Sequence, residues 1–358
     1  MHQIRAIPFA KINSAERDVR AHLLSISKQY SQAQTTRSVV QLGLTISLCL
    51  ISYVIGMALM QRTLFAGIVA ALAPAIFVVR LFMIQHDCGH RSFFRSHRAN
   101  DILGFCLGIV TMTPYHCWRR FHAQHHSHSG NLDQRGFGDI QTLTTQEYAA
   151  LAPKWQRLYQ LYRHPLILLG VGPPLLFILR QRTTYKIPKE WKQERRNVHL
   201  TNLGILGLGA FLCLIYEPRL VLSFHFLVMS FAAIIGVGLF YVQHQFPDAY
   251  WKQTTEWESS RASMDGASYF ELPTILRWLT ANIGLHHIHH LDARIPNYRL
   301  YECFRNHQEF GQPQRFGLRD GFACFRLRLW DTQAERMIPF PIVQTIASKQ
   351  KKIRMDAA

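Results

Sequence analysis

Four apolar runs, residues 41–60, 64–85, 199–216 and 220–243, constrain this chain of 358 residues more than any other feature. A helix rises about 1.5 Å per residue, so each run is long enough to cross a hydrocarbon core of roughly 30 Å. Inside such a core every backbone polar group must be satisfied within its own segment, which makes each run a helix. The runs come in pairs, separated by Gln61-Arg62-Thr63 in the first and by Glu217-Pro218-Arg219 in the second. The expected fold is an all-α integral membrane protein with four transmembrane helices in two hairpins.

Charge gives these hairpins a direction. The net charge is +18, but the lysines and arginines gather beside the apolar runs, and no nucleic-acid motif accompanies them. Arg5, Lys11, Arg17, Arg20, Lys28 and Arg37 precede the first run, and the segment from Arg180 to Arg196 holds seven basic residues against two acidic ones. Positive-inside logic puts both segments in the cytoplasm, beside anionic head groups. Each hairpin then leaves the cytoplasm and returns to it.

Two further apolar stretches need another reading. Residues 102–114 are too few to span and are expected to be re-entrant or interfacial. In 165–180, Gly170, Gly172 and Pro173-Pro174 are expected to break the helix, and a crossing would carry the basic segment outside, so a membrane-embedded half-hairpin is expected. The resulting organisation is an N-terminal cytoplasmic segment (1–40), hairpin 41–85, a cap segment with two embedded stretches (86–198), hairpin 199–243, and a second cap segment (244–358). The last of these ends in a Lys/Arg-bearing tail from Lys349 to Arg354 that is expected to be disordered. The N-terminus lacks the apolar core of a signal peptide and is read as a peripheral amphipathic segment. None of the seven cysteines forms a CxxC pair, and no disulfide is expected.

The inner ends of the spans carry histidine clusters: His86-x3-His90, His122-x2-His125-His126 and His286-x2-His289-His290. Residues i, i+3 and i+4 share one helix face, so each cluster can aim its rings at one point. Neutral imidazole without thiolate suits iron, zinc or copper, and eight rings exceed what one ion can hold. The pair His86 and His90 alone could equally hydrogen-bond phosphates. His244, after the last span, is on position alone as readily an interfacial side chain as a ligand.

The segments HDCGH (86–90), WRRFHAQHH (118–126), SGNLDQRGFGDIQTLT (129–144), YVQHQFPDAYW (241–251) and NIGLHHIHHLDARIPNY (282–298) resemble the membrane-bound fatty acid desaturases. Within that family the likeness is to bacterial acyl-lipid desaturases of the Δ12 (omega-6) and Δ5 types. The resemblance implies a cytoplasmic helical cap carrying a histidine-rich, non-haem di-iron centre with O2 as co-substrate. It implies the ligands His86, His90, His122, His125, His126, His244, His286, His289 and His290. It also implies oxygen-dependent desaturation of membrane-lipid acyl chains in the bacterial inner membrane. Where some relatives have an asparagine one turn before the ninth histidine, this chain has Phe240. Asn282 is a substitute if 282–286 is helical.

Around these positions, Asp87, Asp133, Asp139 and Asp292 are candidates to accept the second ring proton of a ligating imidazole. His287 is expected beside the ligands and His128 on the surface. His2, His22, His97, His164, His225 and His307 are expected to be structural or solvated, with His116 and His199 open. Trp118, Phe121, Tyr241 and Trp278 are candidate gates to an apolar substrate tunnel. There is no dinucleotide or flavin fingerprint, no iron–sulfur cysteine set and no HPGG haem signature, so electrons are expected from a separate protein. The resemblance makes that protein a ferredoxin or flavodoxin, an acidic partner for a basic cap. Rival readings are a di-iron membrane hydroxylase or carotenoid ketolase and, more distantly, a metal transporter or sensor.

Overall fold

The computed structural model describes residues 14–136, 138–310 and 314–340, so His2 and the tail Lys349 to Arg354 lie outside the described residues. Helix α1 (Ser14–Lys28) is followed by α2 (Thr35–Arg62), α3 (Leu64–Ala70) and α4 (Leu72–His90), with α3 and α4 forming one apolar length of 27 residues. Among the described residues, four helical lengths are long and apolar enough to cross a membrane: Thr35–Arg62, Leu64–His90, Lys192–Ile215 and Pro218–His244. They match the four apolar runs, the second with a turn at Ala71 just before Pro74, which has no N–H to give the backbone ladder.

Between the two pairs lie α5 (His97–Val110), α6 (Tyr115–His128), strand β1 (Leu143–Thr144), α7 (Thr145–Ala150) and α8 (Pro153–Tyr162). The stretch expected to break at Gly170 to Pro174 does not break. It runs from Leu166 to Arg182 as a π-helical turn, α9 (Gly172–Pro174), a second π-helical turn and a 3-10 turn. The π register, in which the Gly172 N–H reaches the Ile167 carbonyl, accommodates two prolines that cannot donate to the usual ladder. With α8 this length is bent by 54°.

Helix α10 (Lys192–Ile215) and α11 (Pro218–His244) complete the apolar set. The core sits where α2, α4 and α11 meet, with Met57, Val78, Val79, Phe224, Val228 and Met229 buried together. Gly56 sets how closely α2 and α11 approach, because a Cβ there would lie 2.3 Å from Phe224 Cζ. The outward faces stay apolar, with Phe65 78% and Leu214 86% exposed, as lipid contact would require.

Beyond α11 come α12 (Ser259–Met264), β2 (Tyr269–Phe270), α13 (Thr274–Leu279), α14 (His286–Leu291), α15 (Asn297–Asn306), β3 (Arg315–Phe316), α16 (Leu318–Cys324), β4 (Leu329–Asp331) and β5 (Arg336–Ile338). The fold is mostly helical rather than all-α. Strand β4 pairs in parallel with β1 and antiparallel with β5, and β2 pairs in parallel with β3. These strands of two or three residues lack a readable alternation, which hides them from pattern analysis. Helix α1 packs Leu23 and Ile26, with Tyr30 after it, against Leu285, Ile288 and Leu300. The Ser27 hydroxyl donates to Asp292 Oδ2 at 2.7 Å, so α1 is fastened to the end of α14.

Candidate metal centre

Each histidine cluster lies on a helix that aims its rings inward. His86 and His90 close α4, His122, His125 and His126 lie on the last turns of α6, His244 ends α11, and His286, His289 and His290 make up half of α14. Gly89 lets α6 approach this end of α4, since a Cβ there would lie 2.8 Å from Trp118 Cζ3.

Nine ring nitrogens gather in two groups, His86, His90, His122, His126 and His289 in one and His125, His244, His286 and His290 in the other, with the atoms of each group within 4.8 Å of one another. Hydrogen bonds among the rings do not account for this packing. His122 Nε2 lies 2.9 Å from His86 Nε2 and 3.1 Å from His126 Nε2, yet one ring nitrogen offers a single proton or a single lone pair. His244 Nε2 is placed likewise, 3.1 Å from His125 Nε2 and 2.9 Å from His286 Nε2. Ligands about 2.1 Å from a common ion and at right angles stand about 3.0 Å apart, which these separations match. His90 Nε2 is buried without a hydrogen-bond partner, as a lone pair awaiting a cation would be.

Charge state agrees with geometry. Burial, and then the neighbouring imidazoles, push His122, His126, His286, His289 and His290 well below the ordinary histidine range, so the rings are neutral and able to ligate. Two of the outer nitrogens have hydrogen-bond partners of their own, whereas those of His86 and His286 are buried without one. Asp139 accepts from His125 Nδ1, and the Gly266 carbonyl lies 3.3 Å from His244 Nδ1. Asp87 Oδ1 is 3.5 Å from His86 Nδ1, while its other oxygen takes the backbone and side-chain N–H groups of Asn297 at 2.7 and 2.8 Å.

Several expected neighbours stand elsewhere. Asn282 has φ +58 and precedes the helix, and its side chain donates to the Asn297 carbonyl at 2.9 Å, so it does not share a face with His286. His287 bonds the Phe310 carbonyl at 3.1 Å and packs on Tyr269 and Phe304, away from the clustered rings. Asp133 receives the Thr254 N–H, and Asp292 receives Ser27 and Arg294. His128 is half-buried over the Gln124 carbonyl, and Phe240 packs on His125 and His244 at 5.3 and 5.1 Å between centroids. The remaining histidines stay outside both groups: His22, His97, His164 and His199 are exposed, and His225 and His307 bond Tyr53 and Tyr30. The His116 backbone N–H donates to Asn197 at 3.0 Å.

A cavity of about 650 Å³ reaches the rings. His86, His122 and His286 form part of its wall, with Val79, Phe82, Met83, Phe177, Met229, Ala233, Gly236 and Phe240. Trp118 and Phe121 line it as expected of gates, and Trp118 stacks on His122 with centroids 4.5 Å apart. Tyr241 and Trp278 do not line it. Tyr241 is buried with its hydroxyl donating to the Leu327 carbonyl at 2.6 Å, and Trp278 lies 4.2 Å under the Arg80 guanidinium.

Two residues went unread in the sequence. Asn297 ties α15 to Asp87 and, through Gln41 at 2.8 Å, to α2. Arg163 is fully buried and donates to Tyr241, Gln245 and the Leu327 and Gln141 carbonyls, bracing the residues beside His244 and Asp139. No local signal marks either, because their partners are tens to hundreds of positions away.

Comparison with known proteins accords with this geometry. The sequence model of the family described as "Fatty acid desaturase" matches residues 62–321. A "Fatty acid desaturase" of Bacillus subtilis (strain 168) is 38% identical over 288 residues, covering 78% of this chain and 81% of that protein. The "sn-1 oleoyl-lipid 12-desaturase" of Anabaena variabilis is 25% identical, covering 64% of this chain and 65% of that one. The "sn-1 acyl-lipid omega-3 desaturase (ferredoxin)" of Nostoc sp. (strain 36) is 27% identical, covering 62% of each. With most of its length matched in this way and its histidines gathered at the end of its apolar helices, the chain belongs to the fatty acid desaturase family, whose members are oxidoreductases.

Proposed function

We propose that this protein introduces a cis double bond into the acyl chains of membrane lipids, using O2 and two non-haem irons held by the nine clustered histidines. The observation that carries the reading is that both imidazole groups open onto one apolar cavity. His86, His90, His122, His126 and His289 would hold one iron, and His125, His244, His286 and His290 the other. With O2 and two electrons, the irons would supply an oxidant able to take hydrogens from unactivated methylenes, chemistry beyond any side-chain acid or base.

The chain's own residues position and exclude. Asp139 holds the outer proton of His125, which leaves its inner nitrogen free to ligate, and the Gly266 carbonyl does the same for His244. Trp118 stacked on His122 fixes that ring's plane. Walls from α4 and α11 keep water from the rings and hold one carbon–carbon bond beside them.

The histidines are assigned to the cytoplasmic side of a bacterial inner membrane, on the strength of the basic segment 180–196 next to the third span. The two hairpins and the cap segments are taken with the boundaries given above. An external donor such as ferredoxin or flavodoxin would deliver the electrons, a reading supported by the word "ferredoxin" in the name of the Nostoc relative. The test is expression in a host without polyunsaturated lipids, followed by mass spectrometry of double-bond positions. New double bonds at one position are expected, and a hydroxylated product without a double bond would overturn the proposal.

A further inference from the structure

Asp87 is a buried carboxylate without a cation. Its side chain is 4% exposed, and among the described residues no lysine or arginine pairs with it. One oxygen is occupied: Oδ2 takes the backbone and side-chain N–H groups of Asn297, the first of them an open N–H at the start of α15. The other, Oδ1, accepts no hydrogen bond among the described residues and faces Nδ1 of His86 at 3.5 Å, a nitrogen likewise buried without a partner. An unpaired buried charge is strongly destabilising. The two unmet atoms, an acceptor and a ring nitrogen, mark where a cation on the far side of the ring would make itself felt.

Asn297 decides where Asp87 stands. All four of its polar groups are engaged: both N–H donors on Asp87, its Oδ1 with Gln41 Nε2 at 2.8 Å, and its carbonyl with Asn282 Nδ2 at 2.9 Å. Those partners belong to α4, to α2 and to the turn before α14. One residue thereby holds α4, which carries His86 and His90, against the segment leading into α14, which carries His289. All three histidines belong to the first imidazole group, and the rings of His86 and His289 lie 4.4 Å apart between centroids.

We propose that Asp87 is the outer partner of the first metal group and that Asn297, held by Gln41, is the residue that positions it. A histidine that ligates through Nε2 keeps its proton on Nδ1 and donates it outward. At His86 the acceptor facing that proton is Asp87 Oδ1. The carboxylate also offsets charge in a group whose five ligands are all neutral rings. The inference rests on the proposed function and gives the first group a counterpart to Asp139, which serves His125 in the second.

Chelator titration of the full chain, loaded with ferrous iron in detergent, tests it by stage. Metal should leave in two stages, and an Asp139 variant identifies which belongs to the second group. Asp87→Asn should weaken the other stage about 10- to 100-fold and leave the Asp139-sensitive stage unmoved. Asn297→Ala, which keeps the carboxylate but releases it, should weaken that same stage about tenfold, and Gln41→Leu should weaken it less. The double variant D87N/N297A should match D87N, because a residue that acts through Asp87 has nothing left to position. If D87N does not fold, N297A and Q41L carry the test on the same stage. Additive losses in the double variant, both stages shifting together, or a lower melting temperature of the metal-free chain with neither stage moved would overturn the assignment. An unaltered chain that holds two irons while every variant keeps them as tightly would overturn the role of Asp87 alone, whereas an unaltered chain that binds no metal would overturn the proposed function with it.

Discussion

Replacing Asp139 separates the two imidazole groups experimentally. Its carboxylate accepts from Nδ1 of His125, a ring that is 2% exposed, and no second acceptor bonds that proton among the described residues. A hydrogen bond to a charged group contributes about 1.5–3 kcal/mol, and loss of the partner that orients a ligating histidine typically weakens metal binding about 10- to 100-fold, or roughly 1.4–2.7 kcal/mol. Asp139→Asn keeps an oxygen acceptor but not the charge, and should cost about tenfold, whereas Asp139→Ala should approach a hundredfold. The effect should fall on the group of His125, His244, His286 and His290, because the other five rings do not touch Asp139. A chelator titration with elemental analysis of the retained protein reads this directly: metal should leave in two stages, with only the weaker stage shifted in the variants. If both stages shift together, or neither moves, the division into two sites held by separate outer contacts is wrong.

Further outcomes follow from the packing. Ala233 lines the cavity eleven residues before His244 on α11, roughly 16 Å along the helix, and Ala233→Phe there should cost the longest acyl chains about 1–3 kcal/mol while sparing shorter ones, visible as a shortened product profile. An unchanged profile would remove Ala233 from the tunnel. Gly56→Val forces a side chain against Phe224 and should destabilise by about 1–3 kcal/mol, lowering the melting temperature in detergent, with Phe224→Ala in the same chain restoring part of it. His125→Ala should abolish new double bonds with the protein still present in the membrane, whereas His307→Ala, which loses contacts with Tyr30 and Phe310 outside both groups, should not. Equal loss in both at equal expression would count against the assignment of ligands.

The spans and the histidine clusters were legible in the sequence because both rest on local periodicity. A span needs only length and apolarity, and i, i+3, i+4 spacing fixes a shared face whatever surrounds it. His244 was ambiguous for the opposite reason: its group-mates come from α6 and α14, and proximity between elements is not written in spacing. The same limit explains the misplaced gates. Tyr241 and Trp278 are aromatic and sit near a membrane end, like Trp118, but Leu327 and Arg80 engage them, contacts that no window of sequence contains. Asn282 failed on backbone conformation, since two successive left-handed residues, Ala281 and Asn282, precede the helix that was expected to include it. The stretch 166–182 shows how prolines and glycines can shift a helix into π register instead of ending it.

Metal analysis of the purified chain from iron-supplied cells tests the central claim most directly. The account expects about two iron atoms per chain, falling to about one in His244→Ala, since four rings of one group become three while the other keeps five. A single metal ion per chain in the unaltered protein, or zinc that iron does not replace, would contradict it.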